Sequence, residues 1–256
     1  MLRLQEPLLG RGVAEGSGQM IELGRFSRNM PELSEDDCRL LAQSRVGVFG
    51  CGGVGGYVAE MLARMGVGFI RMVDFDIVEE TNLNRQLFAT EHTLGIAKTQ
   101  AGVERLAEVN SSTIVDARCT RFDGDASDEL LDGLDLVVNE IDALDDRVSL
   151  IRACYKLGLP ITHAAVNTWR VSACTLFPQD GLPRSFDELF STDQEDGFLE
   201  DGTIVLTALP FNCLVAAGIC ASEAVRVLIG REAAFRNKRY ILDLRNGRSN
   251  SNGRGC

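Results

Sequence analysis

Short apolar runs alternate with stretches of helical period along most of this chain. Val46 to Phe49 has the length of a buried strand, and a glycine-rich joint, Gly50-Cys51-Gly52-Gly53-Val54-Gly55-Gly56, follows it. Beyond the joint Val58, Ala59, Met61, Leu62 and Met65 recur at helical spacing until Gly66 and Gly68 stop the helix. Phe69 to Val73 gives a second strand that ends at Asp74, so the segment reads as a βαβ unit. Further strands are predicted at Thr113 to Ala117, Leu136 to Asn139, Pro160 to Ala164, Val171 to Phe177 and Tyr240 to Leu242. Helical patterns fall at 97–109, 145–157 and 213–229, and Ser34 with Glu35, Asp36 and Asp37 marks an earlier helix start. The fold class is therefore α/β: a Rossmann-like nucleotide-binding half continued by a mixed sheet in a single domain.

Residues 1–24 and 245–256 are Gly-, Asn- and Ser-rich with weak patterning and are predicted to be mobile ends. The stretch 178–203 carries Asp187, Glu188, Asp193, Glu195, Asp196, Glu200 and Asp201 with little apolar period, which predicts a long loop, either functional or simply solvated. Ile204 to Val225 is the most apolar segment, but Pro210, Asn212, Ser222 and Glu223 interrupt it, so it reads as a buried helix rather than a membrane span. No apolar run follows a charged start at the N-terminus, which predicts a cytoplasmic location.

Composition narrows the chemistry. With 256 residues, 45% of them hydrophobic, the chain can bury a substantial core. A formal charge of −11 opposes binding of long polyanions and makes nucleic acid an unfavoured partner. The eight Cys, at 38, 51, 119, 154, 174, 213, 220 and 256, contain no C-x-x-C pair, so a paired-cysteine zinc site is not encoded.

The glycine joint is the first chemical signal. Gly50 permits a tight bend, Gly52 and Gly53 let the backbone approach a phosphate, and Gly55 allows the helix to pack against the strand. Asp74, about 20 residues on, can accept bonds from ribose hydroxyls, and this much fits NAD as well as any other nucleotide. Asp76, Asn82, Arg85, Gln86 and Lys98 follow closely. Only three of the 26 basic residues are Lys, so Lys98 with Arg85 stands out as a pair suited to a triphosphate. Asp142, just past Leu136 to Asn139, is either a magnesium ligand or a helix cap. Arg25 and Arg28 could reach a phosphate or lie on the surface.

Taken together, Arg25-Phe26-Ser27-Arg28-Asn29, the glycine joint, Asp74-Phe75-Asp76, Asn82-Leu83-Asn84-Arg85-Gln86, Gly95-Ile96-Ala97-Lys98, Asn139-Glu140-Ile141-Asp142-Ala143 and Ile161-Thr162-His163-Ala164 resemble the ThiF/MoeB/HesA family, relatives of the ubiquitin-activating enzymes. The resemblance covers about residues 24–244 and makes 25–244 the adenylating domain. It implies ATP- and magnesium-dependent adenylation of the C-terminal Gly-Gly carboxylate of a small ubiquitin-fold sulfur-carrier protein, with release of pyrophosphate. By the same resemblance Gly50, Gly52, Gly53, Gly55, Asp74, Asp76, Asn82 and Gln86 would hold the nucleotide, and Arg85 and Lys98 the phosphates. Asp142 would bind magnesium, Arg28 would reach the site of a second subunit in a homodimer, and 178–203 would be the crossover loop. No zinc is expected, and no cysteine in 178–212 is available for a thioester. Two other readings stand beside it: a tRNA threonylcarbamoyladenosine dehydratase-like enzyme, and a non-catalytic NAD-binding module.

Overall fold

The computed structural model describes residues 23–122, 127–181 and 207–252. A 3-10 segment (Leu23–Asn29) leads into α1 (Glu35–Gln43), β1 (Arg45–Phe49), α2 (Gly55–Met65), β2 (Phe69–Val73), α3 (Lys98–Val109) and β3 (Ile114–Arg118). There follow α4 (Ser127–Leu131), β4 (Leu136–Asn139), α5 (Leu144–Leu157), β5 (Ile161–Asn167), β6 (Arg170–Leu176), α6 (Pro210–Leu228), β7 (Arg239–Asp243) and β8 (Arg248–Asn252). The eight strands form one sheet in the order β3-β2-β1-β4-β5-β6-β7-β8. Pairing is parallel from β3 to β5 and antiparallel from β5 to β8, the mixed α/β sheet that the pattern predicts.

Period-two alternation assigns each strand residue to one of two cores. Val46, Val48, Ile70, Met72, Leu136 and Val138 join residues of α1, α2, α3 and α6 on one face. Phe49, Phe69, Val73, Val137, Ile161 and Leu176 join residues of α4 and α5 on the other. Because both faces of the central strands are covered, those strands are apolar throughout, which is why they read as runs. α6 is long and apolar enough to cross a membrane by composition, yet more than half of its apolar window is buried inside the fold. It begins at Pro210, three residues before the predicted helical pattern, because Pro suits the first turn of a helix.

Two differences from the sequence reading have local causes. Part of the tail expected to be mobile is a strand: β8 completes antiparallel pairing with β7 over Arg239–Asp243, which a run of small polar residues does not announce. Strand β5 runs to Asn167 rather than Ala164, since β6 pairs with it along its whole length. Most of the predicted crossover loop, the first 22 residues and the last four lie outside the described residues.

One buried charge ties the second half together. Glu223 of α6, only 1% exposed, accepts hydrogen bonds from Thr175 Oγ1 of β6 and from the backbone N–H groups of Ala234 and Phe235, each at 2.9 Å. Glu223→Ala would leave the buried Thr175 hydroxyl and two partly buried N–H groups without their acceptor, so a loss of about 2–3 kcal/mol in urea unfolding is expected, while Glu223→Gln, which keeps an acceptor, should lose less.

Candidate functional site

A cavity of about 600 Å³ opens at the C-terminal ends of β1, β2, β4 and β5. Parallel sheets bind ligands at this edge, where the strand order reverses between β1 and β4. Its floor is the turn from β1 into α2. Gly50 has a left-handed φ of 90°, and a β-carbon there would overlap the Glu140 carbonyl. A β-carbon on Gly55 would overlap the carbonyl oxygen of Gly50. Gly55 is therefore a packing glycine, as its place in the turn predicts, and it is not among the residues lining the cavity. The N-cap, Val54, makes no side-chain cap bond, so the first N–H groups of α2 keep capacity for an anion.

Asp74 terminates β2 inside the cavity. Its Oδ2 accepts from the Cys51 N–H at 2.7 Å and its Oδ1 from the Asp76 N–H at 2.8 Å, so it braces the glycine turn from beneath. Burial raises its pKa, against the opposing pull of those bonds and of Lys98. Lys98, at the start of α3, is 7% exposed, and its Nζ lies 2.7 Å from Asp76 Oδ2. It is no loose surface cation. Arg85 also lines the cavity, its guanidinium donating to the Thr81 carbonyl at 3.0 Å and to Asn84 Oδ1 at 2.9 Å. Gln86 is buried beside Gly52.

Three expected residues are placed elsewhere or differently. Asn82 does not line the cavity: its Oδ1 accepts from the Glu79 N–H at 3.1 Å, capping a short 3-10 turn. Its role is to shape the segment that carries Arg85. Asp142 lines the cavity and is not the cap of α5, whose N-cap position is Ala143 with no side-chain bond. An exposed carboxylate left free of a capping duty is a fitting hard-oxygen ligand for magnesium beside phosphate oxygens. Among the described residues no group of three or more His, Cys, Asp or Glu gathers to hold a metal by itself. Arg28 is absent from the lining. Its segment packs at the other end of α2, where the Phe26 ring meets Gly66, and an 11-residue helix separates the two ends by about 16 Å.

The structure adds residues to which the sequence reading gave no part in the site. Glu140 lines the cavity, and its Oε1 accepts from the Ala164 N–H at 2.9 Å. Desolvation pushes its pKa up to about 8. Arg147 Nε donates to the Ile141 carbonyl at 2.9 Å and so holds the loop that carries Asp142. Phe75, Arg121, Asp146 and Cys213 line the walls. Ala164, Ala165, Val166, Thr207 and Ala208 line it as well. Cys213 is pushed up to about 11 and Cys220 well above its ordinary value, both chiefly by burial, so neither is a thiolate at neutral pH. His163, buried behind the cavity, donates Nδ1–H to the Asn139 carbonyl, and burial lowers its pKa to about 3.

The glycine turn, the N-terminus of α2, the strand-end carboxylate of Asp74 and two cations thus share one cavity, an arrangement suited to a nucleotide. The ThiF family model matches residues 26–252, and the chain belongs to that family. It is 31% identical over 226 residues to the SAMP-activating enzyme E1 of Haloferax volcanii, covering 87% of this chain and 82% of that protein. It is also 37% identical over 140 residues to the tRNA threonylcarbamoyladenosine dehydratase of Bacillus subtilis, covering 54% of this chain and 55% of the relative. In fold it is similar to E. coli MccB in a structure with ATP, with a TM-score of 0.77 at 23% identity over 90% of this chain and 71% of the other.

The buried imidazole gives the site a pH signature. His163 is neutral when folded down to about pH 3, whereas the unfolded chain takes up its proton near 6.5, so this contribution to stability is complete above 6.5 and lost as pH falls. Glu140 has the opposite slope between 4.5 and about 8. His163→Gln, which can still donate to Asn139, should therefore gain on the parent by about 1.4 kcal/mol per pH unit from 6.5 down to 4.5 in urea unfolding. Parallel stability curves would show a protonated His163 in the folded chain.

Proposed function

We propose that this chain adenylates the C-terminal carboxylate of a small ubiquitin-fold carrier protein, consuming ATP and releasing pyrophosphate. The observation that carries the reading is the cavity's lining: Lys98 and Arg85 beside the glycine turn, together with Ala164, Ala165 and Val166 of β5 and Thr207 and Ala208. An extended Gly-Gly tail, having no side chains, is suited to lie along the small residues of β5. The similarity to the SAMP-activating enzyme, which extends over most of both chains, supports it.

The chemistry asks for charge placement rather than a nucleophile or base. The carrier carboxylate is already ionised at neutral pH and attacks the α-phosphorus directly. Lys98 exchanges Asp76 for a phosphate oxygen, and Arg85 exchanges its local carbonyl and amide partners for another. Both then stabilise charge that builds on the departing pyrophosphate. Asp142 would hold the magnesium ion, which supplies further neutralisation when bound. No thiol takes part, in keeping with the raised pKa values of Cys213 and Cys220.

Carrier-dependent exchange of labelled pyrophosphate into ATP tests this directly. Exchange should require a Gly-Gly-ended carrier, and Lys98→Ala and Arg85→Ala should each reduce it by roughly a hundredfold or more with the fold retained. Turnover with modified tRNA instead of a carrier would favour the dehydratase reading, which the similarity of part of the chain to that enzyme keeps in view.

The placement of Arg28 leads to a second expectation. Since it lies at the far end of α2 from its own cavity, its catalytic use requires another copy of the chain, and α6 leaves Phe211 and Leu214 about 40% exposed as apolar surface for association. Mixing Arg28→Ala with Lys98→Ala chains should restore part of the activity, because one composite site per mixed dimer is intact. Subunit exchange without complementation would remove Arg28 from catalysis.

A further inference from the structure

The ladder between β4 and β5 ends inside the cavity because side chains take over its next bond. The Val137 N–H donates to the Pro160 carbonyl at 3.0 Å, and the last paired residues are Val138 and Thr162. The two-residue step of a parallel ladder would next join the Ala164 N–H to the Asn139 carbonyl, and that bond is not made. The Ala164 N–H donates instead to Glu140 Oε1 at 2.9 Å, and the Asn139 carbonyl accepts from His163 Nδ1. Both backbone groups are satisfied, yet beyond Thr162 the strands stand a side chain apart. Glu140 is itself held firmly: its N–H donates to the Phe49 carbonyl at 2.7 Å, and Cys220 Sγ lies 3.5 Å from the same Oε1. Its carbonyl occupies the place that a β-carbon on Gly50 would need, so the residue joins the glycine turn to β5.

The gap leaves part of β5 open. Its backbone groups point alternately toward β6, with which it pairs from Ile161 to Asn167, and toward β4. On the β4 side, past Thr162, they belong to Ala164 and Val166, and both residues line the cavity. Among the described residues no strand meets the Ala164 carbonyl or the Val166 N–H and carbonyl there. We infer that Glu140 is a positioning residue for the acceptor: as a strut between β4 and β5 it keeps a slot in which an extended main chain pairs with Ala164 and Val166. The inference rests on the reading that an acceptor carboxylate enters this cavity, and it makes reach the property of Glu140 that matters. A glutamate or glutamine oxygen spans from β4 to the Ala164 N–H, whereas an aspartate is one methylene short. Without the strut the Ala164 N–H needs another acceptor. Its ladder partner, the Asn139 carbonyl, has a second lone pair beside the one His163 uses, and would draw the strands together across the slot. Strand addition of this kind takes its affinity from main-chain bonds and suits a tail of small residues.

Kinetics of pyrophosphate exchange with a Gly-Gly-ended carrier, resolved into KM for carrier and KM for ATP, test this on the full chain, with calorimetric titration of ATP alone as the companion measurement. Glu140→Asp should raise KM for the carrier by roughly tenfold and change ATP affinity by less than about twofold. Glu140→Gln, which keeps an oxygen at the same reach, should recover most of the carrier KM. A carboxylate acting through its charge would give the opposite order, with Asp near the parent and Gln impaired, and would overturn the inference. Equal losses for carrier and ATP, or an unchanged carrier KM in Glu140→Asp, would overturn it too. Hydrogen exchange at the Ala164 amide needs no carrier: its rate should differ from the parent's in Glu140→Asp and stay close to it in Glu140→Gln, and equal rates in all three would remove the strut. The two readings fail separately. A parent chain with no carrier-dependent exchange brings down the acceptor reading and takes the inference with it, whereas an exchanging parent beside a Glu140→Asp chain of parental carrier KM brings down the strut alone.

Discussion

Everything at this site depends on how closely the chain can pass itself between β1 and α2. The Gly50 carbonyl lies where a β-carbon of Gly55 would be, and the Gly50 N–H donates to the Val73 carbonyl at 2.8 Å. That contact fixes the first turn of α2 against the sheet with its N–H groups free of a side-chain cap. Asp74 then locks the turn by accepting the Cys51 N–H. A side chain at either glycine would push the helix off the sheet, and the anion site would lose its geometry along with its backbone donors.

The same constraint explains how a chain of net charge −11 can host a polyanion. Positive potential is local: a helix terminus, a buried lysine and a half-buried arginine converge on one end of a cavity. Before a phosphate arrives each cation has a neutral or acidic partner of its own, Asp76 for Lys98 and the Thr81 and Asn84 oxygens for Arg85. Burying Lys98 without Asp76 would be costly, since an isolated ammonium in the interior is destabilising by several kcal/mol. The pair thus lets Lys98 be buried without an uncompensated charge.

Placement of the remaining groups follows from strand ends. Phe75, Arg121, Glu140, Asp142 and Ala164 belong to four connections or strands that are distant in sequence, and parallel pairing brings the strand ends to one edge. Arg147 and Glu140 connect those ends, one to the Ile141 carbonyl and the other to the Ala164 N–H. They keep β4, the Asp142 loop and β5 in register where the two strands no longer pair beyond Val138 and Thr162.

The sequence by itself determined the order of elements, the glycine turn and the two cations, Arg85 and Lys98, that line the cavity. Each of these is a local matter: apolar period, φ requirements and a short spacing between charged residues suffice. It could not separate Asn82, which caps its own turn, from Gln86, which reaches the cavity, because both belong to one motif and only packing decides their direction. Nor could it show the strand in Arg248–Asn252, whose residues lack strand character and owe their conformation to the open edge of β7. Tertiary structure alone decided that Lys98 is buried against Asp76, that Arg28 is not among the residues lining the cavity, and that Glu140 meets Ala164. Those outcomes depend on which strand lies beside which, and a pairing between residues far apart in the chain leaves no periodic trace in either partner.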